Sequence, residues 1–212
     1  MRAWINRWRR RVARLLMFRI VFGERSQGRW LAHTRISPST LIEHEERLSL
    51  ADHIYIGPFN VIEASGGIVI EEGVQITNHV SITTHSSHRA QRLLGSEYAT
   101  WTGGNGRTAD RPGWISGAVH IGAYSFIGPH TLIEAGTHIG RGCIVCAGAQ
   151  LRGEYTDFAI LEGRPARVVG DSRSGDAKLL EVYPELRPFH EAWAGPLPPD
   201  SSMAGSRRPR GA

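Results

Sequence analysis

An aliphatic residue recurs at every sixth position along two stretches of this chain. A period of six fits neither an amphipathic helix, which repeats every 3.6 residues, nor a strand with alternating sides. It predicts short strands that each present one large aliphatic side chain to a narrow core, with three strands closing a triangular coil. The later stretch is unbroken and consists of Ile121, Ile127, Ile133, Ile139, Val145 and Leu151. The earlier stretch contains two-residue shifts and consists of Ile36, Ile42, Leu48, Leu50, Ile56, Ile62, Ile70, Ile76 and Ile82.

Glycine supports the same interpretation. The chain has 25 glycines in 212 residues, and Gly122, Gly128 and Gly140 each directly follow a periodic isoleucine. We expect these glycines to permit the tight backbone conformation that each corner of the coil needs. A coil of this kind buries its apolar side only by stacking on another coil, so stability accumulates along the stack. A β-sandwich is the alternative, but it does not explain an unbroken run at one spacing.

The repeat also predicts how the chain is divided. Residues 36–170 form the repeat domain, and a polar, aromatic-rich loop at 83–118 interrupts it. Residues 1–35 form a helix and a connector. Residues 171–194 form a short helical segment that Pro184 and Pro188 interrupt, because proline lacks the amide hydrogen that a helix interior uses. Residues 195–212 have the composition of a disordered tail.

The positive charge lies at the two ends of the chain. Residues 1–25 hold eight Arg and one Glu, whereas the net charge of the whole chain is only +5, so the body is mildly acidic. A nucleic-acid partner is therefore not expected. Cys143 and Cys146 have no partners for a zinc site and are interpreted as small core or corner residues. A reduced, cytoplasmic setting fits them, and no metal is expected.

Segment 2–22 is predicted to be a basic amphipathic helix. Trp4, Trp8, Val12, Leu15 and Phe22 recur at helical spacing, and arginines occupy the other sides. The segment is too short and too charged to cross a bilayer, and it lacks the cleavage site of a signal peptide. Two roles stay open for it: packing on its own domain or a neighbouring subunit, and peripheral contact with an anionic membrane.

The inserted loop carries the candidates for chemistry. His85 and His88 open it directly after the strand that ends near Ile82, and histidine has the side chain whose pKa best suits a general base. Either one could be the base; we favour His88 slightly, because six residues of chain let it fold back over a groove more easily. Trp101, Trp114 and Arg111, further along the loop, are candidates for binding the acceptor.

Two segments resemble a known family. They are IGAYSFIGPHTLIEAGTHIGRGCIVCAGAQL at 121–151 and EGRPARVVG at 162–170, the second with a Gly-x-Pro-Ala motif. Over about 36–170 the chain resembles the hexapeptide-repeat acyltransferases, particularly the maltose, galactoside and polysaccharide O-acetyltransferases. The resemblance implies an all-β fold, a left-handed parallel β-helix, assembled as a homotrimer. It also implies transfer of an acyl group, probably acetyl, from coenzyme A to a hydroxyl of a sugar-like acceptor.

Carried over residue by residue, the resemblance places the base in the segment Thr84–His88 and acyl-CoA in a groove between subunits. Relatives have the histidine five residues after the strand aliphatic, whereas His85 comes at three and His88 at six, which leaves the choice open. The positions that would line the acyl-CoA site are Phe126, Pro129 and Ala147, with Arg164 and Arg167 for its phosphates.

Two other functions compete with acyl transfer. A γ-type carbonic anhydrase uses three histidines around a metal in a similar fold, and His79, His85, His88, His120 and His130 supply candidates. The close histidine pair of that family has no counterpart here, and the ending at 163–166 favours acyl transfer. A non-catalytic binding module is the second alternative, since repeat folds offer extended surfaces without chemistry.

Overall fold

The computed structural model describes residues 2–103 and 110–197. Its helices are α1 (Arg2–Phe18), α2 (His88–Leu94), α3 (Arg173–Val182) and α4 (Arg187–Ala194), with single 3₁₀ turns at Glu45–Arg47, Gly95–Tyr98 and Pro184–Leu186. Its strands are β1 (Glu24–Ser26), β2 (Arg29–Leu31), β3 (Arg35–Ile36), β4 (Leu41–Glu43), β5 (Leu48–Leu50), β6 (Tyr55–Ile56), β7 (Val61–Glu63), β8 (Ile68–Ile70), β9 (Gln75–Ile76), β10 (Ser81–Thr83), β11 (His85–Ser86), β12 (Ile115–Ser116), β13 (Val119–Ile121), β14 (Phe126–Ile127), β15 (Leu132–Ile133), β16 (His138–Ile139), β17 (Ile144–Val145), β18 (Gln150–Leu151), β19 (Glu154–Tyr155), β20 (Ala159–Gly163) and β21 (Ala166–Asp171).

Three parallel sheets form the sides of a prism. The first face stacks β3, β6, β9, β14, β17 and β20, and β21 closes it as an antiparallel neighbour of β20. The second face stacks β4, β7, β10, β15 and β18, and the third stacks β5, β8, β13, β16 and β19. The chain passes from the first face to the second and then the third, so each coil contributes one strand to each sheet.

The predicted period of six is confirmed by the core. All six residues of the later set are completely buried. Each stacks in register on the equivalent residue of the coil below; for example, Ile127 lies between Ile76 and Val145 on the first face. A narrow prism therefore needs one large aliphatic side chain per strand, and the other side of each strand is free to be polar or functional.

The glycines after the periodic isoleucines are needed for a structural reason other than the one expected. Gly122, Gly128 and Gly140 do not adopt a left-handed backbone conformation. A Cβ at Gly128 would instead lie 2.6 Å from the backbone oxygen of Val145 in the next coil. These glycines are therefore needed because successive coils approach closely at the corner. The left-handed conformation occurs at other corner residues, among them His79 and His130.

Replacing Gly128 with alanine tests this explanation. Because the added methyl would meet backbone rather than a mobile side chain, we expect Gly128→Ala to lower the free energy of unfolding by about 1–3 kcal/mol. Gly175→Ala is the matched control, since a Cβ at Gly175 in α3 meets nothing within 4 Å. Urea unfolding of both variants and the wild type measures the effect. A Gly128→Ala protein as stable as the wild type would contradict the packing explanation.

The insertion between β10 and β13 is more ordered than the irregular loop that the sequence suggested. Strands β11 and β12 pair antiparallel at its base, and α2 follows β11 directly. Residues 104–109 of the insertion lie outside the described residues. The short strand pair fixes His85 against the edge of the prism, a constraint that the polar composition of the segment did not indicate.

Helix α1 ends at Phe18, four residues before the predicted boundary at residue 22. None of its residues is buried. Its contact with the prism is at its end, where the Phe18 ring meets the Phe59 ring edge-on at a centroid distance of 5.3 Å. Among the described residues, no helix has the length and hydropathy needed to cross a membrane.

The C-terminal segment forms two short helices. Helix α3 ends at Val182, before Pro184, and α4 begins at Arg187 with Pro188 in its first turn, where proline is tolerated. The Trp193 ring of α4 stacks on Tyr124 at a centroid distance of 4.5 Å. This contact attaches α4 to the corner between the third and first faces. The tail predicted at 195–212 lies outside the described residues from 198 onward.

Candidate functional site

A pocket of about 380 Å³ lies where the insertion leaves the prism, at the corner between the second and third faces. The insertion forms one side of the pocket, and the later coils form the other. Both loop histidines predicted from the sequence line it. The lining residues are Thr83, His85, Ser86, His88, Ile115, Leu132, Glu134, Ala135 and Arg152.

His85 is paired with a buried carboxylate. Its Nδ1 lies 2.8 Å from Oε2 of Glu63 and 3.0 Å from the hydroxyl of Ser65. Trp114 from the far end of the insertion stacks on the imidazole, with 4.7 Å between ring centroids and only 9° between the planes. Because these two contacts occupy Nδ1, Nε2 is the ring nitrogen left for a further partner. The stacked indole and these contacts hold the ring in one plane.

Glu63 has the contacts of a stable carboxylate. Its side chain is 8% exposed, and it accepts hydrogen bonds from the backbone amides of Ser65 and Thr84 and from the Thr84 hydroxyl. Burial acts to raise the pKa of Glu63, but these hydrogen bonds outweigh it and lower the pKa to about 2. Glu63 thus remains negatively charged at neutral pH.

The lowered pKa of Glu63 predicts a pH dependence of stability. The folded value of about 2 lies below the ordinary value of 4.5, so the carboxylate stabilises the fold above about pH 4.5 and this contribution is lost as the pH falls toward 2. We expect wild type to lose more unfolding free energy than Glu63→Gln between pH 6 and about pH 3. Urea unfolding at several pH values measures this, with Glu181→Gln on the exposed side of α3 as the control. Parallel pH profiles for wild type and Glu63→Gln would refute it.

His88 occupies a different environment in the same pocket. It is the first residue of α2, and its Nδ1 lies 2.7 Å from the hydroxyl of Ser86, an exposed contact. Among the described residues no carboxylate forms an ion pair with it. The two histidines therefore differ: the ring of His85 is fixed by a charged partner, and the ring of His88 is held by one neutral hydroxyl at the surface.

The acceptor-binding candidates are only partly brought together. Trp114 lies against His85, as described above. Arg111 stacks on the Tyr98 ring, 4.4 Å from its centroid, within the insertion. Trp101 has a buried indole nitrogen without a hydrogen-bond partner among the described residues. Neither Trp101 nor Arg111 lines the pocket around the histidines.

The acyl-CoA candidates lie on the other edge of the second face. Pro129 and Ala147 are in the turns from the first face to the second, and the Gly148 amide donates to the Pro129 carbonyl, so these turns stack. The Nε of Arg164 donates to the Gly148 carbonyl at the same corner. The remaining candidates face outward from the first face: Phe126 is 40% exposed on β14, and Arg167 is exposed on β21. Within a single chain, these residues are therefore separated from His85 by the width of the second face.

Glu63, the carboxylate beside His85, and two charged residues of the pocket lining were not predicted from the sequence. Glu63 aligns with Thr83 across neighbouring strands, one coil below the base of the insertion. Glu134 and Arg152 occupy the corresponding corner of the next two coils. A signal for Glu63 was present, because Ile62 and Ile82 are 20 residues apart and the residues that follow them must therefore be neighbours. The number of residues in a whole coil, rather than the six-residue period, predicts that Glu63 lies beside the start of the insertion.

The histidines considered for a metal centre are dispersed over the prism. His79 and His130 stack at the corner between the first and second faces, and His120 stacks on His138 on the third face. They do not join His85 and His88 at the pocket. Over the described ranges, the group close enough for metal coordination is His33, Asp52 and His53, at another corner of the prism.

The two cysteines lack the features of a redox pair. Cys143 is buried in the core, and this burial raises the pKa of its thiol to about 11. Burial also raises the pKa of Cys146. A raised pKa disfavours the reactive thiolate, so both residues serve as small packing residues of the coil.

Comparison with known proteins agrees with this geometry. The family model described as bacterial transferase hexapeptide (six repeats) matches residues 118–153. A probable acetyltransferase of Mycobacterium tuberculosis is 30% identical over 142 residues, covering 67% of this chain. The chain spans only 42% of the length of that relative.

Solved structures show the same fold. A mutant of AntD, an N-acyltransferase from Bacillus cereus, in complex with dTDP and coenzyme A, superposes with a TM-score of 0.51 at 17% identity, covering 72% of this chain and 88% of that one. A second mutant of AntD in the same complex gives a TM-score of 0.50 at 16% identity, with 72% and 87% coverage.

The coils thus define a left-handed parallel β-helix built from hexapeptide repeats, as the sequence predicted. The helix before the prism and the two helices after it complete this architecture. The chain therefore resembles the hexapeptide-repeat acyltransferases, through the matched repeats at 118–153 and the 142 residues aligned with the probable acetyltransferase.

Proposed function

We propose that this protein is an O-acyltransferase that moves an acyl group, proposed to be acetyl, from coenzyme A to a hydroxyl of a sugar or polysaccharide precursor. The observation that carries the proposal is the contact of 2.8 Å between Nδ1 of His85, which lines the pocket, and the carboxylate of Glu63. An alcohol attacks a thioester poorly until a base removes its proton, and this pair supplies a base with a fixed orientation. The probable acetyltransferase among the relatives supports the acetyl group.

His85 is the proposed base. The sequence favoured His88 slightly, because six residues of chain after Ile82 would let it fold back over a groove. Nε2 of His85 takes the proton of the acceptor hydroxyl while the hydroxyl oxygen bonds to the thioester carbon. The carbon–sulfur bond then breaks, and the leaving thiolate takes the proton back from the imidazolium, giving an ester and free coenzyme A. Glu63 stabilises the imidazolium between these two transfers, and Trp114 restricts its plane.

The acyl-CoA site belongs to the proposal as well. Phe126, Pro129 and Ala147 would line it, and Arg164 and Arg167 would pair with its phosphates, since guanidinium groups match phosphate oxygens. Trp101 and Arg111 remain proposed acceptor contacts from the insertion. A cytoplasmic setting would supply acyl-CoA and would keep Cys143 and Cys146 reduced.

A homotrimer would unite the two halves of this site. The pocket and the acyl-CoA candidates lie on opposite edges of the second face, so cyclic symmetry can set one subunit's pocket against its neighbour's acyl-CoA edge. Two outward side chains of that face, Leu41 and Val61, are 54% and 41% exposed in the single chain. Such apolar side chains favour a covered face over a solvated one.

A double substitution on this face tests the trimer. We expect Leu41→Asp with Val61→Asp to give monomers in light scattering and to lose turnover, because each site then lacks half of its residues. Val69→Asp is the matched control, since Val69 is a similarly exposed strand residue on the third face. A monomeric protein with full turnover would contradict the shared site.

Peripheral binding of α1 to an anionic membrane is proposed alongside the activity. Six apolar residues cover about one third of the helix surface, and six arginines with no acidic residue occupy the rest. The helix buries none of its residues on its own chain, so its apolar side is left for another partner. Basic residues beside tryptophan are typical of helices that lie in the membrane interface. The apolar residues are Trp4, Ile5, Trp8, Val12, Leu15 and Leu16.

The activity itself is tested by thiol release from acetyl-CoA against a panel of sugars and nucleotide sugars. We expect turnover with at least one hydroxyl acceptor and an ester in the product, detected by mass spectrometry. The same protein dialysed against a chelator should keep this turnover, because no step of the proposed reaction uses a metal. Loss of activity on chelation, restored by zinc, would favour the metal-enzyme alternative.

A further inference from the structure

The membrane helix and the pocket lie at nearly the same level of the prism. Phe18, at the end of α1, contacts Phe59, which lies in the turn two residues before strand β7. His85 follows β10, which is the next strand above β7 on the second face. Neighbouring strands are about 4.8 Å apart, so His85 is about one strand spacing above the level of Phe59, and the pocket extends upward from there to Arg152.

The opposite end of the prism is much further away. Strand β21 lies four strands beyond β9 on the first face, and β9 belongs to the same coil as β10. At about 4.8 Å per strand, the end of the prism is therefore about 20 Å above the coil that carries His85. If α1 lies in the membrane interface, the pocket is close to the lipid headgroups and the far end is not.

The pocket has the chemistry of a headgroup site rather than of a lipid site. His88, Glu134 and Arg152 contribute polar groups to its lining. Its volume of about 380 Å³ is at the small end of ligand pockets and leaves no room for long acyl chains. A lipid-linked acceptor could place its polar sugar there while its chains stay in the bilayer.

We infer that the acceptor is a sugar carried by a membrane lipid, which α1 brings within reach of His85. This inference rests on the proposed acyltransferase function and names its substrate class. Confining enzyme and acceptor to one surface raises their effective concentration, as tethering does for linked binding modules. A freely diffusing sugar would gain nothing from the position of α1 at the level of His85.

Matched acceptors test the inference. Methyl glycosides and dialkylglycerol glycosides of the same sugars are supplied at equal bulk concentration with vesicles of phosphatidylcholine and phosphatidylglycerol. We expect the lipid-linked form to be acetylated about 100-fold faster, the gain that tethering commonly gives. Trp4→Ala with Trp8→Ala should remove this advantage and leave turnover of the methyl glycoside unchanged. Equal turnover of the two forms would overturn the inference and leave the acyltransferase function standing.

A second measurement does not depend on the choice of sugar. A fluorophore is attached at Arg89→Cys, on exposed α2 beside the pocket, or at Val169→Cys, on exposed β21, in a Cys146→Ser background. Vesicles carrying a nitroxide on the lipid headgroup should quench the label at residue 89 more strongly than the label at residue 169. Equal quenching, or stronger quenching at residue 169, would overturn the inference. If no acetylation of any acceptor occurs in the first experiment, the proposed function fails and the inference fails with it.

Discussion

His85→Ala is expected to reduce acyl transfer about 100- to 10,000-fold, the usual contribution of a general base. The loss should appear in the chemical step, because the thioester is held by groups other than the imidazole. Acetyl-CoA affinity, measured by calorimetry, should therefore change little. His85→Gln is a useful companion, since glutamine keeps a polar side chain near Glu63 without a titratable nitrogen.

His88→Ala is the matched control for this prediction. Its exposed hydrogen bond to Ser86 contributes about 1 kcal/mol, which corresponds to less than about a tenfold change in rate. Both variants must first be shown to retain the assembly state of the wild type. The reverse result, with His88→Ala inactive and His85→Ala active, would assign the base to His88. Near wild-type turnover of both variants would refute the mechanism.

Membrane binding should depend on the two faces of α1 together. Each basic residue near an anionic surface contributes about 1 kcal/mol, so Arg10→Gln with Arg11→Gln is expected to weaken vesicle binding about 30-fold. Trp4→Ala with Trp8→Ala should weaken binding at least as much, because each exposed indole would lose its burial in the interface. Cosedimentation with vesicles containing phosphatidylglycerol at low salt measures both effects.

Phe189→Ala is the control, since Phe189 is 75% exposed but lies on α4. It should bind vesicles as the wild type does. High salt should weaken wild-type binding, because screening reduces the attraction between arginine and lipid phosphate. Equal recovery of wild type and the tryptophan variant on vesicles would instead favour packing of α1 on a neighbouring subunit.

The fold was predictable because its signal is repeated many times. Each buried isoleucine occupies an equivalent place in a coil, so a single sequence contains many independent observations of one pattern. The reason that position 128 requires glycine was not predictable in the same way. Close approach to Val145 depends on how coils stack, whereas the sequence shows only that a glycine follows an isoleucine.

The site was predictable only in part. The position of His85 and His88 at the start of an insertion predicted that they lie together, and both line the pocket at that corner of the prism. The distinction between them depended on Glu63, which is adjacent in space through coil stacking and not through the chain. Helix α2 and the β11–β12 pair, which hold the two rings apart, arise in a segment without periodicity, where local composition predicts only a loop.

The reversal of direction at β21 has a consequence for assembly. A parallel stack of coils has no intrinsic limit, because each terminal strand exposes amide and carbonyl groups on which another coil could form. On the first face, β21 turns back against β20 with a register shift between Ile160 and Leu161, so the last strand no longer matches an incoming parallel one. Growth into an end-to-end fibre is therefore disfavoured at this end, and lateral association is the contact left to the prism.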